Sequence, residues 1–298
     1  MKILLTGVTG QLGRALIPLL ETRGELVRAS RSDLDLSRPG DIAARLDALA
    51  PDLIVNPAAW TAVDAAEDEV AEAMAANAEA PAVMAHWAGS NDRALVHFST
   101  DYVFDGRKGS AYVETDATGP LNVYGRSKLE GERAVLDSGA RHIVLRSSWI
   151  YAPRGANFVL TMLRLAREGR SLNIVSDQVG SPTSAASLAR ATVAAIDREL
   201  PSRETPGGNL YHCVDRGAVS WFEFARRIFE GAVELGLLEN MPEVVETDSE
   251  GFPQKALRPE YSPLDNTLFE QASGHVMPTL DASLKACLKD ILEHERNT

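Results

Sequence analysis

A chain of 298 residues, 45% hydrophobic and 24% charged, can bury a large core as one domain or as two closely joined ones. Its formal net charge of −12 argues against nucleic acid or an anionic membrane surface as partner, although a local basic pocket would still admit a phosphorylated ligand. No apolar run approaches the ~20 residues of a membrane span, the start Ile3-Leu4-Leu5 is too short for a signal peptide, and Cys213, Cys287 and the histidines lack metal or redox spacing, so the expected setting is a reducing cytoplasm with no metal.

Lys2 to Thr6 predicts a buried strand, followed by the turn Gly7-Val8-Thr9-Gly10-Gln11-Leu12-Gly13. Leu12, Ala15, Leu16, Leu19 and Leu20 keep helical spacing until Gly24, and Glu25 to Ser30 reads as a second strand. Strand, glycine turn, helix and strand in about 30 residues form the context in which such a motif carries meaning. Gly7 would permit the tight turn, Gly10 the approach of a pyrophosphate and Gly13 close helix–strand packing. The free N–H groups of the helix would face the phosphates. A plain glycine-rich turn is the bland alternative. At the end of the second strand, where an NAD site usually places an acid, stand Arg28, Ser30 and Arg31, with Asp33 and Asp35 later. That favours NADPH, with NADH also usable, over a merely solvated basic turn.

Ile42 to Leu49 predicts a helix and Leu53 to Asn56 a third strand, with the small residues Pro57, Ala58 and Ala59 beyond its end. Val70 to Ala88 reads as one alanine-rich helix carrying Asn77. Ala94 to Phe98 is a strand with Thr100 and Asp101 just past its end, Tyr124 to Leu136 a helix, and His142 to Arg146 a strand ending near Trp149. Tyr124 and Lys128 share a helical face. A cation there would pull the phenol below its usual pKa of about 10. Such a tyrosine can protonate a carbonyl oxygen as hydride arrives, with Thr100 holding the same oxygen. By itself a lysine four residues from a tyrosine is an ordinary accident in a chain with 6 tyrosines. The regular alternation predicts an α/β fold, a doubly wound parallel sheet of Rossmann type, whose ligands lie outside the strand C-termini. The glycine turn, Pro57 to Val63, Thr100 to Tyr102 and Trp149 all fall at that edge.

Beyond Tyr151 the pattern loosens. Helices are expected at Asn157 to Arg167, Ser184 to Asp197, Trp221 to Leu235 and about Asp281 to His294, with strands at Leu172 to Val175 and Asn209 to Val214. Prolines and acids dominate Leu237 to Asp265. The expected division is a dinucleotide-binding domain over residues 1–150 and a smaller, interleaved substrate lobe over 151–298, with segments from about 172–215 returning to the sheet.

At this point the chain resembles the extended short-chain dehydrogenase/reductases and, within them, the dTDP-4-dehydrorhamnose reductases. The resemblance rests on Thr6 to Gly13, Asn56 to Asp64 with Glu67, Ser-Thr-Asp-Tyr-Val-Phe-x-Gly at Ser99 to Gly106, Glu114 to Asp116, Pro120 to Lys128, Arg146 to Tyr151, Asp177 to Thr183 and Arg258 to Ser262. It implies reduction of the C4 ketone of a nucleotide-linked deoxysugar, dTDP-4-dehydro-L-rhamnose to dTDP-L-rhamnose, a cell-surface polysaccharide precursor. It also implies that Tyr124 donates the proton, that Lys128 binds the nicotinamide ribose and tunes the phenol, and that Thr100 orients the ketone. Gln11, Leu12, Asp35, Leu36, Ala58 and Ala59 would join the glycines and arginines around the cofactor. Thr61, Val63, Asp101, Tyr102 and Trp149 would line the nucleotide-sugar. Some members hold Mg2+ at a dimer contact through acids beginning just after the glycine turn. Arg14-Ala15 stand there in this chain, so no metal is expected and a homodimer stays open.

Sugar dehydratases of this superfamily carry Asp-Glu where this chain has Asp101-Tyr102, because eliminating water needs an acid and a base beyond the tyrosine. Elimination is therefore disfavoured. A nucleotide-sugar epimerase or dehydrogenase, and a non-catalytic regulatory relative, remain as alternatives to the reductase.

Overall fold

The computed structural model describes residues 1–169, 171–200, 208–252 and 254–297. Arg170, residues 201–207, Pro253 and Thr298, all within the span assigned to the smaller lobe, lie outside them. The chain begins with strand β1 (Lys2–Leu5), helix α1 (Gln11–Glu21) and strand β2 (Glu25–Arg28). Then come α2 (Pro39–Leu49), β3 (Leu53–Asn56), the short helices α3 (Val63–Ala66) and α4 (Val70–Met74), α5 (Ala80–Ser90), β4 (Ala94–Thr100), α6 (Val123–Leu136) and β5 (Arg141–Ser147). The strands read as continuous apolar runs because helices cover both faces of the sheet they form. Leu12, Leu16 and Leu20 pack on one face, and Ile42, Leu46, Met84 and Val135 on the other.

The later chain supplies β6 (Ile150–Tyr151), α7 (Phe158–Arg167), β7 (Leu172–Val175), β8 (Val179–Gly180), β9 (Thr183–Ser184), α8 (Ala185–Glu199), β10 (Gly208–His212), β11 (Val219–Ser220), α9 (Trp221–Glu234), β12 (Val244–Thr247), α10 (Thr267–Ser273) and α11 (Leu280–Arg296). β10 pairs in parallel with β5, and α8 packs against α1. The completed sheet is all parallel, in the order β10-β5-β4-β3-β1-β2. The chain steps outward from β1 to β2 and then back across to β3, so the β1/β3 boundary is the switch point where a ligand crevice opens beyond the strand C-termini. A second core joins α7, α9 and α11 through Leu163, Phe224, Phe229, Leu284 and Leu288. No helix among the described residues is long and apolar enough to cross a membrane.

Besides the short helix α3 and the two-residue strands β6, β8, β9 and β11, three elements depart from the expected pattern. β12 arises inside the proline- and acid-rich stretch because β7 offers it a parallel partner, a non-local pairing that local composition does not encode. The short helix α10 follows the same stretch. The single helix expected from Val70 to Ala88 is instead α4, a π turn over Ala75–Glu79 and α5. Pro81 has no N–H to give the Asn77 carbonyl, and Ala80 bonds back to Ala75. A π-bulge absorbs the mismatch.

That carbonyl is where α6 docks. A Cβ on Gly131 would fall 1.9 Å from Asn77 O, and one on Gly125 would fall 2.2 Å from Tyr102 O. Underneath, Arg146 on β5 grips Glu132 on α6 with Nη2 2.5 Å from Oε1 and Nε 2.9 Å from Oε2, both side chains no more than 3% exposed. A buried charge so paired costs several kcal/mol if one partner is removed. Gly131→Ala should therefore lower stability by about 1–3 kcal/mol through overpacking, although helix propensity alone would raise it. Gly40→Ala, in α2 with nothing within 4 Å of the new methyl, should instead stabilise by about 0.4–1 kcal/mol. Urea unfolding of the two variants checks the pair of signs.

Candidate active site

Above the switch point, the loop after β1 turns at Gly7, whose φ of +56° lies in the left-handed region that glycine adopts freely. A Cβ there would lie 3.0 Å from Ala58, and one on Gly13 would fall 2.1 Å from Gly7 O. The turn is thus pressed between the loop after β3 and its own helix. Gly10 caps α1 without any side-chain acceptor, so the first N–H groups of the helix stay available to an anion. Thr6 Oγ1 donates to Asn56 Oδ1 at 2.6 Å and Asn56 Nδ2 reaches His97 Nδ1 at 3.3 Å, tying β1, β3 and β4 together below the crevice. Burial and the nearby Lys128 cation hold His97 well below the usual imidazole pKa, so it is neutral.

Two cavities that share Gly7, Thr9, Ala58 and Ala59 form the crevice. The outer one, about 210 Å³, is bordered by Ser30, Arg31, Asp35 and Leu36. The inner one, about 560 Å³, is bordered by Gly10, Gln11, Leu12, Gly13, Thr61, Thr100, Tyr124, Lys128 and Trp149. Gln11 also bridges outward, accepting from Asn157 Nδ2 at 2.9 Å and donating to Ile150 O at 3.3 Å. Four expected site residues do not line either cavity. Arg28 turns away to pair with Glu21. Val63 begins α3, and Asp101 and Tyr102 lie behind Thr100. Arg31 remains, 81% exposed and 3.4 Å from Asp35. The Ser37 hydroxyl and N–H, more than Arg31, hold the Asp35 carboxyl below its usual range.

Thr100 is the last residue of β4 rather than lying past its end, and its hydroxyl accepts from Tyr102 N at 3.2 Å. It borders the same cavity as the Tyr124 phenol. Tyr124 reaches the crevice from the first turn of α6, whose N-cap Asn122 accepts from Gly125 N at 2.7 Å. From the next turn Lys128 is almost fully buried and donates to Phe98 O at 2.5 Å. The expectation that this cation draws the phenol below its usual pKa is overturned: burial pushes Tyr124 up to about 12, the Thr100 hydroxyl only tempering the rise. Burial likewise brings Lys128 down to about 8, against the opposing pull of Glu132. Desolvation outweighs the attraction of one charge that is already spent on a backbone carbonyl.

Behind this trio lies a polar layer that the motifs touch only in part. Asp101 is 1% exposed and accepts from Ser262 Oγ at 2.6 Å and Thr100 Oγ1 at 3.1 Å. Burial pushes its carboxyl up to about 6. Arg258 holds Asp64 with two bonds, 3.0 and 2.7 Å, keeping that carboxyl down at about 2, and donates to Ala256 O at 2.8 Å. The Tyr102 ring meets Tyr124 edge-on with centroids 5.6 Å apart. Burial, then the Asp101 charge, raises the Tyr102 phenol far above its ordinary value, so it cannot serve as a base near neutrality. Asn77, fully buried at the π turn, accepts from Trp60 N at 2.8 Å and donates to Ser127 Oγ at 3.0 Å, joining the cofactor-side loop to α6. Reading motifs singled out none of Arg258, Ser262 or Asn77 as a site residue. The available signal was a polar residue inside an apolar helix, and an Arg-Pro-x-x-Ser run in an otherwise featureless stretch.

Trp149 lines the inner cavity and is also packed, its indole stacked on Trp221 with centroids 3.4 Å apart and planes 5° from parallel. Its φ of +45° costs a non-glycine residue roughly 1–2 kcal/mol. Among the described residues no group of three or more His, Cys, Asp or Glu is placed to hold a metal ion.

The family described as the RmlD substrate binding domain matches residues 1–293. A dTDP-4-dehydrorhamnose reductase of Burkholderia thailandensis is 40% identical over 98% of this chain and 99% of its own. Among solved structures, a dTDP-4-dehydrorhamnose reductase of Clostridium acetobutylicum superposes with a TM-score of 0.89 at 35% identity, covering 98% of this chain and 100% of that one. The enzyme of that name from Bacillus anthracis, in complex with NADP, gives 0.88 at 32% identity, covering 97% and 99%.

Two outcomes follow from the geometry. Arg31→Ala should narrow the preference for NADPH over NADH by roughly two- to tenfold in kcat/KM, the worth of an exposed charge-assisted contact, while Arg28→Ala should leave it unchanged; the reverse result would restore Arg28 to the site. Asp101 has a folded-state pKa above its unfolded value near 3.9, so the folded state retains its proton between about pH 4 and 6 and loses stability as pH rises through that window. Asp101→Asn should remove that loss, visible as a pH-dependent gap between the urea midpoints of the two proteins.

Proposed function

The chain belongs to the RmlD substrate binding domain family, and from that membership and the crevice we propose that it reduces the C4 ketone of a nucleotide-linked deoxysugar with NADPH, converting dTDP-4-dehydro-L-rhamnose to dTDP-L-rhamnose. The carrying observation is that Thr100, Tyr124 and Lys128 border the same cavity as the glycine turn. We place the reaction in the cytoplasm, in keeping with the buried free thiols Cys213 and Cys287.

The residues fit the dinucleotide. Gly7 leaves room that a Cβ would fill against Ala58, uncapped N–H groups open α1, and Arg31 borders the outer cavity where a 2′-phosphate would lie. When bound, NADPH supplies a hydride to the ketone carbon. Everything else falls to this chain. Tyr124, protonated across the physiological range because burial raises it to about 12, gives its proton to the ketone oxygen. Thr100 holds that oxygen beside the phenol, and Lys128, whose ammonium is fixed on Phe98 O, offsets the phenolate that results. Trp149 walls the sugar from the far side of the cavity. Tyr102, kept protonated by burial, supplies no second base, which supports simple reduction over elimination.

Turnover measured as NADPH oxidation with dTDP-4-dehydro-L-rhamnose tests the reading, and failure to reduce that sugar would overturn it. Tyr124→Phe should fold and bind NADPH yet lose about 10²–10⁴ in kcat. For the parent, kcat/KM for the cofactor reports free-enzyme groups. Because Lys128 acts as the cation, it should fall as pH rises through about 8, a limb that Lys128→Met abolishes along with most of the activity.

A further inference from the structure

We propose that Trp221 is a positioning residue for the sugar: together with Gly180 it holds the Trp149 indole as a fixed wall of the crevice. The proposal rests on the reading of Trp149 as a substrate contact. Trp149 stands at a positive φ, a conformation that persists only where its surroundings over-determine it. The surroundings are specific. Trp221 covers one indole face at 3.4 Å and is itself backed by Phe158, centroids 4.6 Å apart. Gly180 lies so close that a Cβ there would fall 2.5 Å from Trp149 Cε2 and 2.9 Å from Nε1.

Both supports come from one small ribbon, in which Val219 pairs with Gly180 and Ser220 with Val179. Ser220 then closes a reciprocal cap with Glu223, its Oγ accepting from Glu223 N at 3.1 Å and its N donating to Glu223 Oε2 at 2.9 Å, which fixes Trp221 at the first position of α9. Trp149 reaches the crevice from the loop after β5, while its supports belong to the smaller lobe. The wall is therefore assembled across the two parts of the molecule. A rigid aromatic surface presented in advance binds a sugar without the entropic cost of ordering it.

The test has a readout independent of turnover. Two indoles stacked in parallel couple as excitons in far-ultraviolet circular dichroism, and of the four tryptophans only this pair is stacked. The parent should show a couplet that both Trp221→Ala and Trp149→Phe erase. Trp221→Ala should raise KM for the nucleotide-sugar, and Kd for dTDP-L-rhamnose titrated directly, by about three- to tenfold, the worth of an aromatic contact. NADPH affinity and kcat should hold. Trp221→Phe, which keeps a ring over Trp149, should recover most of the affinity without the couplet.

Absence of the couplet in the parent would overturn the stack. Loss of the couplet with unchanged KM and Kd would make Trp221 a packing residue only. Parallel loss of NADPH affinity, kcat and melting temperature in both variants would assign it to the core of the lobe. Failure of the parent to reduce any nucleotide 4-ketosugar, with the couplet intact, would count against the functional reading instead.

Discussion

The molecule depends on how closely α6 can approach its neighbours. Two glycines, Gly125 and Gly131, bring that helix against the carbonyls of Tyr102 and Asn77, at distances no side chain would allow. The Arg146–Glu132 ion pair then locks the helix onto β5 from beneath, the guanidinium lying 5.0 Å over the Phe104 ring. Tyr124 and Lys128 are carried on this helix, Tyr124 immediately before the first contact and Lys128 between the two. A shift of an ångström at either glycine would move the phenol relative to Thr100, and under the proposed mechanism positioning of that order governs how well Tyr124 delivers its proton.

Burial then sets the protonation of the site. Desolvation favours the neutral form of every group it touches, and here it acts on an acid and a base at once. Tyr124 is raised and Lys128 lowered, so two titrations that ordinarily nearly coincide are driven apart. The phenol is thereby kept loaded with its proton. The lysine is left as the group whose charge is conditional; Glu132 favours that charge and the carbonyl of Phe98 holds the ammonium in place. His97, neutral beside it, adds no competing positive charge.

Much of this was legible in the residues. Uninterrupted apolar runs such as Leu53 to Val55 announce strands buried on both faces, and the glycine turn after the first of them announces where a dinucleotide would lie. Tyr124 and Lys128 border one cavity because helical spacing is regular. Their titration is not legible in the same way, because charge attraction can be read from spacing but desolvation cannot. Arg28 failed for a similar reason: sequence places it near the second turn of the motif but does not reveal that Glu21 claims it. β12 and its partner β7 lie about 70 residues apart and the Arg258–Asp64 pair 194, and no local pattern encodes such a meeting. The π turn was foreshadowed only by Pro81.

The edge strand β10 bears on how the protein comes to exist. It pairs along β5 from His142 to Arg146, yet it is encoded only after the chain has traversed α7, the short strands β6 to β9 and α8. During synthesis at roughly 5–20 residues per second, the first half emerges with β5 as an open template for seconds. An open strand of that kind invites pairing with other chains. The sheet becomes safe only once the ribosome has delivered β10, about 60 residues after β5, so the parallel sheet matures with the start of the second lobe and not ahead of it.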